Sequence, residues 1–190
     1  PKYWDEVIQI VPRLSEKDAS GILKKSGIAL GEFSNIDYAK DIIALLFMQS
    51  GSPIVGDKNG RLSAFIDERG AGTVTPSDTA ITFFTQFANP VKTLYSWSRS
   101  FPNSLDMFAQ GDVAMVIGRS SDITKIQEKN PNLNFDKVGF KVPNENDDLH
   151  EYKENLMNMV LLKKQLKNDQ FLIRQESNRF KDLGQNHNEN

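Results

Sequence analysis

Val113-Ala114-Met115-Val116-Ile117-Gly118-Arg119-Ser120-Ser121-Asp122 is the stretch that decides the fold. The uninterrupted apolar run Val113–Ile117 reads as a strand covered on both faces, because a half-solvated strand would alternate apolar and polar residues. Gly118–Asp122 then turns the chain into a helix expected over about Ser121–Lys129, stopped by Pro131. Upstream, Ser104–Gln110 reads as a short helix closed by Gly111, which tolerates the left-handed conformation that ends helices.

The same alternation extends toward the amino terminus. Gly27-Ile28-Ala29-Leu30-Gly31 is a short apolar run between glycines and reads as a second buried strand. The loop Glu32–Asn35 leads to a helix predicted over Asp37–Ser50, apolar around most of its circumference and hence largely buried. Trp4–Leu14 has helical apolar spacing with Asp5 and Glu6 at its start, and Pro12 is expected to kink or end it. Asp57-Lys58-Asn59-Gly60 is a turn signal, and a further helix is predicted over Ser77–Ala88, with Pro76 before it. A last strand is expected over Val138–Val142. Strands alternating with helices make an α/β layered domain.

A boundary is expected after Pro143. All eight prolines lie at or before that residue, and eleven of the twelve glycines lie at or before Gly139. The stretch 144–190 holds 13 Asn and Gln residues, and 148–182 is expected to form one or two amphipathic helices of open packing.

Composition narrows the chemistry. With 23 Lys+Arg against 25 Asp+Glu the net charge is −2, which offers no broad attraction to nucleic acid or an anionic membrane. No cysteine is present, so thiol nucleophiles, zinc–thiolate sites and disulfides are excluded. The only histidines are His150 and His187, which leaves little material for a Ser–His–Asp triad or a histidine metal site. No Gly-x-Ser-x-Gly or Gly-x-x-x-x-Gly-Lys-Ser/Thr pattern occurs, and Gly70-Ala71-Gly72 lacks the rest of a dinucleotide fingerprint. The pairs Asp67/Glu68 and Asp147/Asp148 read as solvated loop charge.

Two turns remain as candidates for ligand binding. Gly118–Asp122 lies past the carboxyl end of a buried strand, where open α/β sheets place their ligands. Ser120, Ser121 and Asp122 offer directional hydrogen bonds there, and Arg119 a forked donor. The competing reading is that Ser120 or Ser121 merely caps the helix. Ser34–Tyr38 is a second strand-to-helix turn able to line the same cleft. Tyr95 and Trp97 fall outside regular structure, either as faces for stacking on sugar rings or as locks fastening their loop to the core.

Taken in order, several segments resemble one family. They are the opening Pro1-x-x-Trp4-Asp5-Glu6, Gly27–Gly31, Leu45-Leu46-Phe47-Met48-Gln49-Ser50-Gly51, Phe83-Phe84-Thr85-Gln86-Phe87-Ala88-Asn89-Pro90, Tyr95-Ser96-Trp97-Ser98, and Phe108–Gly118. Together they resemble the extracellular solute-binding proteins of bacterial ABC importers, the family that includes maltose-binding protein. The resemblance implies a two-lobe periplasmic-binding-protein-like fold. Residues 1–143 correspond to most of its second α/β lobe, and 144–190 to a polar, helix-prone tail without a family counterpart. A first lobe and a signal or lipoprotein segment are expected before Pro1.

The implied activity is non-covalent binding of a solute, most commonly a carbohydrate, in the cleft between lobes. No cofactor or metal is implied, and the partners are the membrane permease subunits of the importer. A monomer at the extracellular face of the membrane or in the periplasm is expected. Carried over by motif, the cleft-facing candidates are Ser34, Asn35, Asp37, Trp97, Arg119, Ser120, Ser121 and Asp122. Some members place a Trp after the Ala-Met strand; here Arg119-Ser120-Ser121 stands instead, which tells against maltodextrin in particular. Two alternatives stay open: a carbohydrate-active hydrolase lobe using Asp37 and Asp122 as its acid pair, and a structural piece that binds nothing.

Overall fold

A computed structural model describes residues 1, 3–52, 54–64 and 74–138, together with the backbone of 159–163. Among the described residues thirteen elements follow in order, twelve of them regular helices or strands and one a single 3-10 turn. Helix α1 (Trp4–Leu14) leads into β1 (Glu16–Lys17) and β2 (Leu23–Ile28), followed by α2 (Ala39–Gln49) and the hairpin β3 (Val55–Lys58) and β4 (Arg61–Ala64). Next come α3 (Pro76–Thr85), the 3-10 turn Gln86–Ala88, α4 (Ser104–Gln110), β5 (Val113–Gly118), α5 (Asp122–Lys129), β6 (Phe135–Val138) and β7 (Met159–Lys163).

Five strands form one sheet in the order β1-β2-β5-β7-β6. β2 and β5 run parallel, with Ser26 opposite Val113 and Ile28 opposite Met115. β7 pairs antiparallel with both β5 and β6. The expectation of α/β layering therefore holds, and β5 sits inside the sheet as its apolar run requires. Val113, Met115, Val116 and Ile117 are all at most 3% exposed. They join Val7, Val11, Ile28, Leu30, Ile42, Phe84, Phe87, Phe108 and Ile126 in a single core.

Two glycines permit the close packing around β2. A Cβ on Gly27 would lie 2.6 Å from the Val11 carbonyl oxygen at the end of α1. Gly31 has φ +104°, and a Cβ there would meet the Ala88 nitrogen at 2.5 Å. Larger residues at either position would push a helix off the sheet. Past the short β1, the flank of β2 is closed by a side chain: Ser96 Oγ accepts from Ile28 N and donates to Ile28 O, both at 2.8 Å. One hydroxyl thus replaces a neighbouring strand at that level.

Several boundaries differ from the expected ones. The first buried strand is Leu23–Ile28 and not Gly27–Gly31; Ala29 still donates to Met115 O, after which the chain turns away. Pro12 does not end α1, which continues to Leu14. The N–H that proline lacks would have served Ile8 O, and Ile8 is 38% exposed, so water can take its place. α2 starts at Ala39, because Tyr38 adopts φ 60° and Asp37 is engaged elsewhere. Pro76 is the first residue of α3, where its missing N–H costs nothing, and Thr75 and Asp78 close a capping box around it. Asn59 and Gly60 have φ 58° and 77°, the left-handed pair a tight hairpin needs.

The last strand before the expected boundary begins at Phe135; 139–142 lie outside the described residues, as do Asp67/Glu68, Gly70–Gly72, Asp147/Asp148, His150 and His187. The helix expectation over 148–182 fails at Met159–Lys163, which is a strand between β5 and β6. Its Met-Val-Leu-Leu run suits the interior of a sheet as well as a helix face, and length alone did not separate the two.

Candidate functional site

The parallel pairing of β2 with β5 brings the two candidate turns to the same edge of the sheet, beyond the carboxyl ends of both strands. The first turn is fastened inward. Asn35 Nδ2 donates to the carbonyls of Ser98 (2.9 Å) and Phe101 (3.0 Å), while its Oδ1 accepts from Trp97 Nε1 at 2.9 Å. Asp37 Oδ2 accepts from Ser104 Oγ and Leu105 N, both at 2.9 Å, and so ties the turn to the start of α4. Ser34 is exposed, and its hydroxyl takes no partner among the described residues.

The second turn is fastened by its last residue. Asp122 is fully buried; Oδ1 accepts from the Tyr38 hydroxyl at 2.9 Å and Oδ2 from Arg119 N at 2.7 Å. The helix-capping role expected of Ser120 or Ser121 is not seen: Ser121 occupies the cap position without a side-chain bond, and the Asp122 carboxylate ties the turn by reaching back to Arg119 N. Arg119, Ser120 and Ser121 are exposed. The Arg119 guanidinium stacks over Tyr38, 4.5 Å from the ring centroid, and donates to Asp41 Oδ2 at 2.7 Å. Desolvation first, and then the bond to Asp122, push the Tyr38 hydroxyl up to about 12.

The candidates therefore divide. Ser34, Arg119, Ser120 and Ser121 face solvent at one edge. Asn35 and Asp122 have their side-chain bonding satisfied by the fold, and Asp37 gives one oxygen to α4. Trp97 is fully buried, packed edge to face on Phe101 at 5.3 Å, so its ring locks the loop and offers no open stacking face. Tyr95 is half-buried, with Lys17 Nζ 5.2 Å from its ring. As one half of an Asp37/Asp122 acid pair, Asp122 offers no exposed oxygen: it is buried, and both its oxygens accept hydrogen bonds within the fold.

Three residues at this edge escape a reading by residue type. Phe33 is 64% exposed in the first turn, and its signal was an aromatic inside an otherwise polar loop. Tyr38 looks like another apolar position of α2, yet it precedes the helix and joins the two turns. Asp41 is placed by the first turn of α2, and nothing in its spacing points to Arg119.

Two open depressions, of about 320 and about 490 Å³, share no lining residue with these turns. One is lined by Ile123, Leu133 and Phe135, the other by Pro102, Asp106 and Lys129. Among the described residues no cluster suited to a metal ion occurs, and no helix is long and apolar enough to cross a membrane. No curated protein and no solved structure matches the chain significantly. The family model for bacterial extracellular solute-binding proteins matches residues 1–149. With an α/β sheet bringing two strand-to-helix turns together beyond its parallel strands, and a family match over most of its length, the chain belongs to the bacterial extracellular solute-binding proteins.

Proposed function

We propose that this protein is the substrate-binding component of an ABC importer for a sugar or oligosaccharide, with residues 1–143 forming most of the second lobe. Membership of a solute-binding family gives the general role, capture of a solute outside the cytoplasm. The observation that supports a polyhydroxyl ligand is the composition of the shared edge. Ser34, Ser120 and Ser121 present hydroxyls without partners among the described residues, Arg119 presents unused donors, and Phe33 presents an open aromatic face. Hydroxyls and a guanidinium pair with sugar hydroxyls, and an aromatic face packs against sugar C–H groups.

Closure of a partner lobe over this edge would be a population shift, driven by the ligand's preference for the closed state. The closed form would then be delivered to the permease. A monomer tethered as a lipoprotein or free in the periplasm fits that role. Calorimetry of the full protein against a panel of mono- and oligosaccharides tests the reading. Saturable binding of at least one sugar, lost in Arg119→Ala with Ser121→Ala, is expected; no heat from any sugar sinks it.

A further inference from the structure

Arginines that capture anions keep their planar fork open for a carboxylate or phosphate. Both guanidiniums beside the first and second turns are already paired. Arg99 Nη2 lies 3.0 Å from Glu32 Oε2. Arg119 Nη2 lies 2.7 Å from Asp41 Oδ2, and the guanidinium stacks over the Tyr38 ring, whose hydroxyl is bonded to the buried Asp122 carboxylate. Asp41 takes only one of the five N–H donors of Arg119, and no other side chain among the described residues takes the rest. The Arg119 side chain is 54% exposed, so the remaining donors are open to solvent. The fold thus keeps the hydrogen-bonding capacity of this guanidinium while cancelling its charge.

We propose that Asp41 is a specificity-determining residue: by neutralising Arg119 it makes this edge accept uncharged polyhydroxyl solutes and turn away carboxylate-bearing ones such as uronates. The inference rests on the solute-binding reading above, and it adds a charge preference to it. Tyr38 and Asp122 are positioning residues in the same device. The ring of Tyr38 supports the guanidinium, its hydroxyl is anchored on Asp122, and Asp122 holds the Arg119 backbone. A neighbouring negative charge repels an incoming carboxylate but leaves a hydroxyl acceptor unaffected, which is how discrimination by an unfavourable contact works.

Acetate is the probe for the charge step, followed at the Arg119 Nε–H resonance of the full chain. The wild type is expected to show only a weak, unsaturable shift. Asp41→Asn is expected to bind acetate at Arg119 about three- to fivefold more tightly, the size of effect a partly exposed ion pair supports. Asp41→Ser supplies the same charge loss if the Asn variant folds poorly, and Arg119→Gln should remove the response in either background. Saturable acetate binding by the wild type as tight as by Asp41→Asn overturns the inference, and so does an Asp41→Asn protein that gains nothing.

A calorimetric comparison of glucose with glucuronate separates this inference from its parent. If neither sugar nor any other binds while acetate behaves as expected, the sugar-binding reading falls and the charge control by Asp41 stands. If the wild type binds glucuronate more tightly than glucose, sugar binding stands and the charge preference falls.

Discussion

The turn after β2 sends most of its polar side chains inward, whereas the turn after β5 sends all but one of its own outward. Asn35 and Asp37 in the first are bonded to the 97–105 segment, leaving Ser34 and Phe33 at the surface. Only Asp122 in the second is bonded inward, leaving Ser120 and Ser121 at the surface beside the exposed Arg119, whose guanidinium pairs with Asp41. The difference follows from what each turn must hold. The first anchors a long irregular loop that has no strand to pair with, so it has to supply that loop's hydrogen bonds from side chains. The second follows a strand paired on both sides, and one carboxylate suffices to fix it.

The largest test of this contrast removes the anchor of the loop. Trp97 is fully buried, and its N–H is the partner of Asn35 Oδ1. Trp97→Ala should cost about 3–5 kcal/mol by leaving a cavity and an unmet acceptor. Urea unfolding measures the loss. A destabilisation below about 1 kcal/mol would show that the loop is held by something else.

Next in size is Asp122→Ala. Because the carboxylate is buried and serves Tyr38 and Arg119 N, its removal should lower stability by about 2–3 kcal/mol. The chemistry of a carboxylate at a strand end pointed to a ligand contact; the burial moves its effect to folding. Thermal unfolding without any ligand distinguishes the two, since a pure ligand contact would leave the midpoint unchanged.

A smaller effect depends on pH. The Tyr38 hydroxyl is pushed from 10.0 up to about 12 by desolvation and by its bond to Asp122. A phenol whose folded value exceeds its unfolded one favours the fold in its protonated form. That stability is fully present below about pH 10 and is lost as pH rises toward 12. Tyr38→Phe, which keeps the ring under Arg119 but cannot ionise, should flatten this decline relative to the wild type. Parallel stability curves for the two proteins above pH 10 would break the link between the turns.

Much of the fold was legible because burial leaves a periodic trace. The run Val113–Ile117, bounded by Gly111 and Gly118, reads as a covered strand, Asn59-Gly60 reads as a tight turn, and Gly111 ends α4 with φ 89°. The edge where the two turns meet was legible too, since it follows from parallel strands each leading to a helix. What was not legible is which polar residues face in. Asn35 and Ser34 have similar chemistry, and adjacent positions in an irregular turn carry no period from which direction can be read. Met159–Lys163 was missed for a related reason. A short apolar run flanked by polar residues fits a strand and a helix equally until its partners β5 and β6 are known.

The smallest expected effect is the most discriminating one. Ser120→Ala and Ser121→Ala remove exposed hydroxyls that bond to nothing among the described residues, so stability should change by no more than about 0.5 kcal/mol. If these hydroxyls meet a sugar when the cleft closes, each loss should still weaken binding by about 0.5–1.5 kcal/mol, read by calorimetry. Asn35→Ala should show the reverse pattern, with a clear loss of stability. Its effect on affinity would then arise only through displacement of the turn. The contrast between the two turns fails if the serine variants lose stability as Asn35→Ala does. It sharpens if they separate cleanly, because affinity without a stability cost is what an outward-facing side chain contributes, and stability is what an inward-facing one contributes.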